Sequence, residues 1–200
     1  MSVYSELGDG ADMTLFEYLA AGFVLILSFA VMRGMSGVPY ALRPVARHWV
    51  HFAYVSIALA NCLITFWVFW FTRDVEWTFF RFVIALLVPI LFYVQVSLLV
   101  PQDPSTVSSW EAHFFGVRIP FFATGAATFL MVAISHQTLL GISALHPIEW
   151  PVYATTALYA LGVTSPAARL HSALALAIFC ITALNVVGIV AQIDPLSPQI

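Results

Sequence analysis

The chain has 200 residues, 62% of them hydrophobic and only 8% charged, with a mean hydropathy of +0.95. A water-facing surface needs roughly a quarter of its residues charged, so these values exclude a soluble globular domain and imply a polytopic membrane protein. The formal net charge is −3 with all seven basic residues arginine, and the absence of lysine excludes a retinal or pyridoxal Schiff base and any lysine-dependent phosphate loop.

Residues 1–13, MSVYSELGDGADM, are polar and acidic. They lack the positive and then apolar regions of a cleavable signal, so the first hydrophobic run is expected to be a retained helix. A bilayer core about 30 Å thick needs about 20 apolar residues at 1.5 Å rise each. Such runs predict six helices near 14–35, 48–72, 77–100, 119–140, 147–165 and 169–192, an all-α membrane bundle. The breaks GMSGVPYALRP, TRDVE, PQDPSTVSS, GISALHP and SPAARLH hold the turn residues. The fifth run is the shortest and carries Pro147 and Pro151. The whole chain reads as one transmembrane domain: the acidic segment 1–13, the bundle 14–192 and a tail 193–200.

Pro89 lies in the middle of helix three and Pro120 at the start of helix four, and each is expected to kink its helix. Cys62 and Cys180 sit inside apolar runs and read as small buried residues, not as a disulfide. Trp49, Trp77, Trp110 and Trp150 fall at helix ends, where an indole suits headgroup depth.

Arginines near helix ends set orientation. Arg33, Arg43, Arg47, Arg118 and Arg169 share the side of loops one, three and five, and only Arg73 and Arg81 lie opposite. The expected topology is a multi-pass inner-membrane protein with those loops cytoplasmic and both termini extracytoplasmic. Glu6, Asp9, Asp12, Glu17, Asp74, Glu76, Glu149 and Asp194 then make an acidic outer face.

Ionisable groups at membrane depth are the default functional candidates. Thr14 and Glu17 have capping-box spacing, as do Ser108 and Glu111, which would open an interfacial helix leading to helix four. Arg81, a cation at a helix N-terminus, faces an unfavourable dipole. It is expected either to pair with Glu17 or to snorkel to headgroup phosphate. Helical spacing aligns Arg81 with Gln95 on helix three, His171 with Thr182 and Asn185 on helix six, and His51 with Cys62 and Thr65 on helix two. Such stripes face protein or water, so helices two, three and six are expected to share an interior, with interhelical hydrogen bonding the plainer account.

His48, His51, His113 and His171 fall at the expected cytoplasmic ends, with His136 and His146 at the other side. A b-type haem needs one histidine from each of two facing helices, and His51 with His171 meets that minimum. Their interfacial depth beside arginines, and the lack of a nearby cysteine or carboxylate on helix two, point instead to headgroup contacts. No metalloprotease helix, nucleophile elbow, paired intramembrane aspartates or glycine-rich phosphate loop is present. The expected function is a non-catalytic accessory or scaffold subunit of a membrane assembly or homo-oligomer, in contact with lipid and membrane-protein partners and not nucleic acid. The alternatives are an ion or small-solute pathway lined by helices two, three and six, and a haem electron-transfer subunit.

Overall fold

The computed structural model describes residues 14–42 and 48–192, with side chains described as far as Gly188. Glu6, Asp9, Asp12, Arg43, Arg47 and Asp194 therefore lie outside the described residues. Six α-helices follow in order: α1 (Leu15–Ala41), α2 (Trp49–Phe69), α3 (Phe79–Leu99), α4 (Trp110–Leu139), α5 (Trp150–Thr164) and α6 (Ala168–Gln192). Short 3-10 turns at Trp70–Thr72, Pro104–Thr106 and Pro147–Glu149 lie in the connections. Five of the helices are long and apolar enough to cross a membrane. The exception is α5, whose 15 residues rise only about 23 Å.

Two helices outrun their expected bounds. In α1 the turn-like stretch from Gly34 to Pro39 stays helical to Ala41. The buried stripe Leu19, Phe23, Leu27, Ala30, Gly34, Gly37 and Ala41 recurs every three or four residues, as one packed helix face requires. A Cβ on Gly37 would stand 2.7 Å from both Val100 methyls, and one on Gly34 would stand 2.7 Å from Leu59 Cδ2. These glycines thus permit close helix approach, not a turn. α4 begins at Trp110, nine residues before its expected start near residue 119. The expected interfacial helix is simply its first turns, capped by Ser109, whose hydroxyl accepts from the Ala112 N–H, and not by Ser108. Pro120 then falls inside α4, as Pro89 does inside α3.

The helices close a ring in the order α1, α3, α4, α5, α6, α2, with α2 leaning inward to meet α3 and α4 as well. The expectation that helices two, three and six share an interior is corrected: α2 touches both others, but α3 packs chiefly on α1 and α4, and α6 on α2 and α5. Tyr54 of α2 is the hub, its ring 5.2–5.6 Å from those of Phe114, Phe121 and Phe122 of α4 and 6.5 Å from Tyr159 of α5. Edge-to-face and stacked rings at these separations add attraction beyond dispersion. Around the ring the outward faces carry large apolar side chains suited to lipid.

Candidate functional site

Helix direction explains the chemistry at one end of the bundle. α1, α3 and α5 finish there, and the last four carbonyls of any helix lack intrahelical partners and carry the negative end of its dipole. Donors from other elements meet those ends. Arg33 Nε of α1 donates to Val100 O at the end of α3 (2.9 Å), and His113 Nε2 reaches Leu98 O and Leu99 O at 3.1 and 3.0 Å. Trp110 Nε1 donates to Tyr40 O of α1 (3.1 Å). At the end of α5, Arg118 Nη1 donates to Gly162 O and Val163 O (3.3 and 3.2 Å), and His171 Nε2 lies 2.8 Å from Ser165 O. A carbonyl only accepts, so the Nε2 atoms of His113 and His171 are the protonated ones. Much of the positive character of this end therefore serves to cap three helices.

The four candidate histidines gather here, two against Phe114 and two against Trp110. His48 and His171 lie 5.8 and 5.6 Å from its ring, and His51 stacks on Trp110 at 4.5 Å and meets His113 at 6.1 Å. Burial pushes the His48 imidazole below its ordinary pKa, and Glu111 opposes that shift. His51 is buried with neither ring nitrogen hydrogen-bonded. The arrangement does not fit a haem between His51 and His171. His171 has committed Nε2 to Ser165 O and its ring is packed by Phe114, Phe115 and Phe122, while Tyr54 fills the adjacent core and bonds His171 O. Among the described residues, no trio of His, Cys, Asp or Glu is placed to hold a metal ion. Trp110 is likewise buried, a cap donor and not a headgroup indole.

Glu17 and Arg81 are not joined. The Glu17 carboxylate accepts from Thr14 N (2.8 Å) and Thr14 Oγ1 (3.0 Å), and Thr14 Oγ1 accepts from Glu17 N (3.2 Å), a complete capping box. Arg81 Nη1 donates to Glu76 O at 2.7 Å. Each finds a nearer partner on its own segment, so the expected interhelical pair does not form. Gln95 is fully buried, its amide crowding Gly125 together with the Tyr159 ring and neither amide atom making a well-formed hydrogen bond. Asn185 is elsewhere, in an outward groove of about 360 Å³ with Pro147, Trp150, Pro151, Ala154, Ile181 and Leu184.

Two polar contacts escape reading by stripe. Asn61 of α2 donates through Nδ2 to Ile57 O (2.9 Å) and Thr182 Oγ1 of α6 (3.3 Å). Asn61 lies off the His51–Cys62–Thr65 line and is buried only because α2 is covered on several sides. At the acidic end, Glu149 is 0% exposed, its Oε1 lies 2.8 Å from His136 Nδ1, and its Oε2 is unpartnered. His146, the other histidine of that side, instead accepts the Ile148 N–H and caps the short turn. The spacing of His136 and Glu149, thirteen residues across a loop, carries no motif. The one available signal was an acid just ahead of a proline-started helix.

Comparison of the chain with known protein families, curated proteins and solved structures finds no match.

Proposed function

We propose that the chain is a non-catalytic membrane protein, an accessory or scaffold subunit of a larger membrane assembly or of a homo-oligomer. The observation that carries this reading is an aromatic surface at the junction of α2 and α3. Phe66, Trp67, Trp70, Phe71, Phe79 and Phe80 all point outward, Phe79 and Phe80 with 82% and 68% of their surface exposed. Within a bilayer, helices associate through packing and not through expulsion of water, and flat rings give large contact area for little lost rotamer freedom. The polar groups inside the bundle support the same reading, since most of them cap helices or tie one helix to the next. The reading also places the protein in the inner membrane with the arginine-rich end cytoplasmic, as charge bias favours.

Purification in mild detergent with mass by light scattering tests this. The wild type should run above monomer mass or with a stoichiometric membrane-protein partner, and Phe79→Ala with Phe80→Ala should shift it towards free monomer. A monodisperse wild-type monomer without partner rejects the reading.

One observation favours the second reading, a pathway for an ion or small solute: Gln95 and Glu149 both hold buried polar atoms without a well-formed hydrogen bond. A hydrated cysteine at position 95 would be labelled by a small polar thiol reagent. Complete protection there rejects a pathway past it.

A further inference from the structure

An open groove of about 390 Å³ runs between α1 and α3 at the arginine-rich end, lined by Arg33, Tyr93, Val94, Ser97, Leu98 and Gln102. The 21 residues of α3 span about the 30 Å of a bilayer core, so its last turn, with Ser97 and Leu98, emerges at headgroup depth. The groove is polar towards the helix end, with Arg33, Ser97 and Gln102, and apolar one turn deeper, with Val94 and the Tyr93 ring.

Arg33 is the unusual member. Its Nε is anchored on Val100 O, which holds the guanidinium plane in place, while Nη1 and Nη2 have no hydrogen-bond or ion-pair partner among the described residues. The Ser97 hydroxyl beside it is buried and also unpartnered. Asp103, next in the chain to Gln102, is engaged with the N–H and hydroxyl of Ser105. A preoriented guanidinium and a free hydroxyl, with no carboxylate among the groove's lining residues, match the acceptor oxygens of a phosphate.

We propose that this groove is a binding site for a phosphate-bearing anion, occupied by the headgroup of an anionic phospholipid whose acyl chain lies over Val94 and Tyr93. The polar-above-apolar order selects a lipid over a soluble phosphate, because a free anion gains nothing from the apolar half. The site is independent of the subunit role proposed above, since it lies at the opposite end of α3 from Phe79 and Phe80.

The test uses the full chain in detergent, titrated with phosphatidylglycerol, with phosphatidylcholine, or with inorganic phosphate. It is followed by unfolding temperature and by lipid retained in native mass spectrometry. Phosphatidylglycerol should be retained and raise the unfolding temperature, and phosphatidylcholine should do neither. Arg33→Gln should weaken retention about tenfold. That variant also loses a helix cap, so Ser97→Ala and Val94→Trp, which remove the hydroxyl and fill the apolar half, provide independent arms and should each weaken retention severalfold. Stabilisation by inorganic phosphate that Ser97→Ala abolishes and Val94→Trp leaves intact keeps the phosphate chemistry and overturns the lipid as its source. Equal retention of the two lipids by the wild type, or undiminished phosphatidylglycerol retention in both Ser97→Ala and Val94→Trp, overturns the site.

Discussion

His136 and Glu149 show how much a single buried contact can carry. With one carboxylate oxygen on the imidazole and the other unpartnered, Glu149 has no second donor to fall back on. His136→Ala should therefore cost on the order of 3 kcal/mol, since it strands a buried carboxyl group. Glu149→Gln keeps one hydrogen bond to the ring and should cost nearer 1 kcal/mol. Thermal unfolding in detergent measures both, and equal losses would contradict the geometry. For Glu17 and Arg81 the expectation is additivity. Their partners are Thr14 and Glu76, so a double-mutant cycle of Glu17→Gln and Arg81→Gln should give coupling below about 0.5 kcal/mol. Glu17→Gln alone should be almost silent, because glutamine also closes a capping box.

Elements here are shaped by close approach as much as by hydrophobicity. Gly162 of α5 faces the Phe122 ring so closely that an added Cβ would lie 2.3 Å from Phe122 Cδ1, whereas Gly116 of α4 has nothing within 4 Å. Phe122 is fully buried among other rings and has nowhere to move. Gly162→Ala should then destabilise by about 1–3 kcal/mol through overpacking. Gly116→Ala should be neutral or stabilise by up to about 1 kcal/mol, because alanine is the better helix former. A parallel pair of unfolding curves checks the contrast, and similar shifts for both would show that α4 and α5 do not pack this closely.

At the scale of the molecule, ring closure and its inward lean set α2 against four other helices, α1, α3, α4 and α6. Cys62 of α2 is buried and Cys180 of α6 exposed. An apolar maleimide should label Cys180 in the folded protein, while labelling of Cys62 should follow the global unfolding curve. Rapid modification of Cys62 in the folded state would mean that the ring opens or that α2 lies at its edge.

Composition and run length by themselves determined the class of this protein, because a bilayer admits only segments that satisfy their own backbone hydrogen bonds, and long apolar helices do so locally. The capping box at Thr14 and Glu17 was legible for the same reason: both partners lie within one turn. The short α5 was also visible, through Pro147 and Pro151. What only the tertiary structure decided is which groups meet across helices. The pattern Gly34-Met-Ser-Gly37 reads as a turn until Val100 and Leu59 stand against it. The candidate histidines share an end in sequence, but only the fold fills the space between them with Phe114 and turns His113 and His171 into caps for carbonyls of α3 and of the chain just beyond α5. In helices that are apolar all round, no stripe marks the inner face. The neighbours of α2, and with them the burial of Asn61, are therefore set by the order in which the ring closes, which no local pattern records.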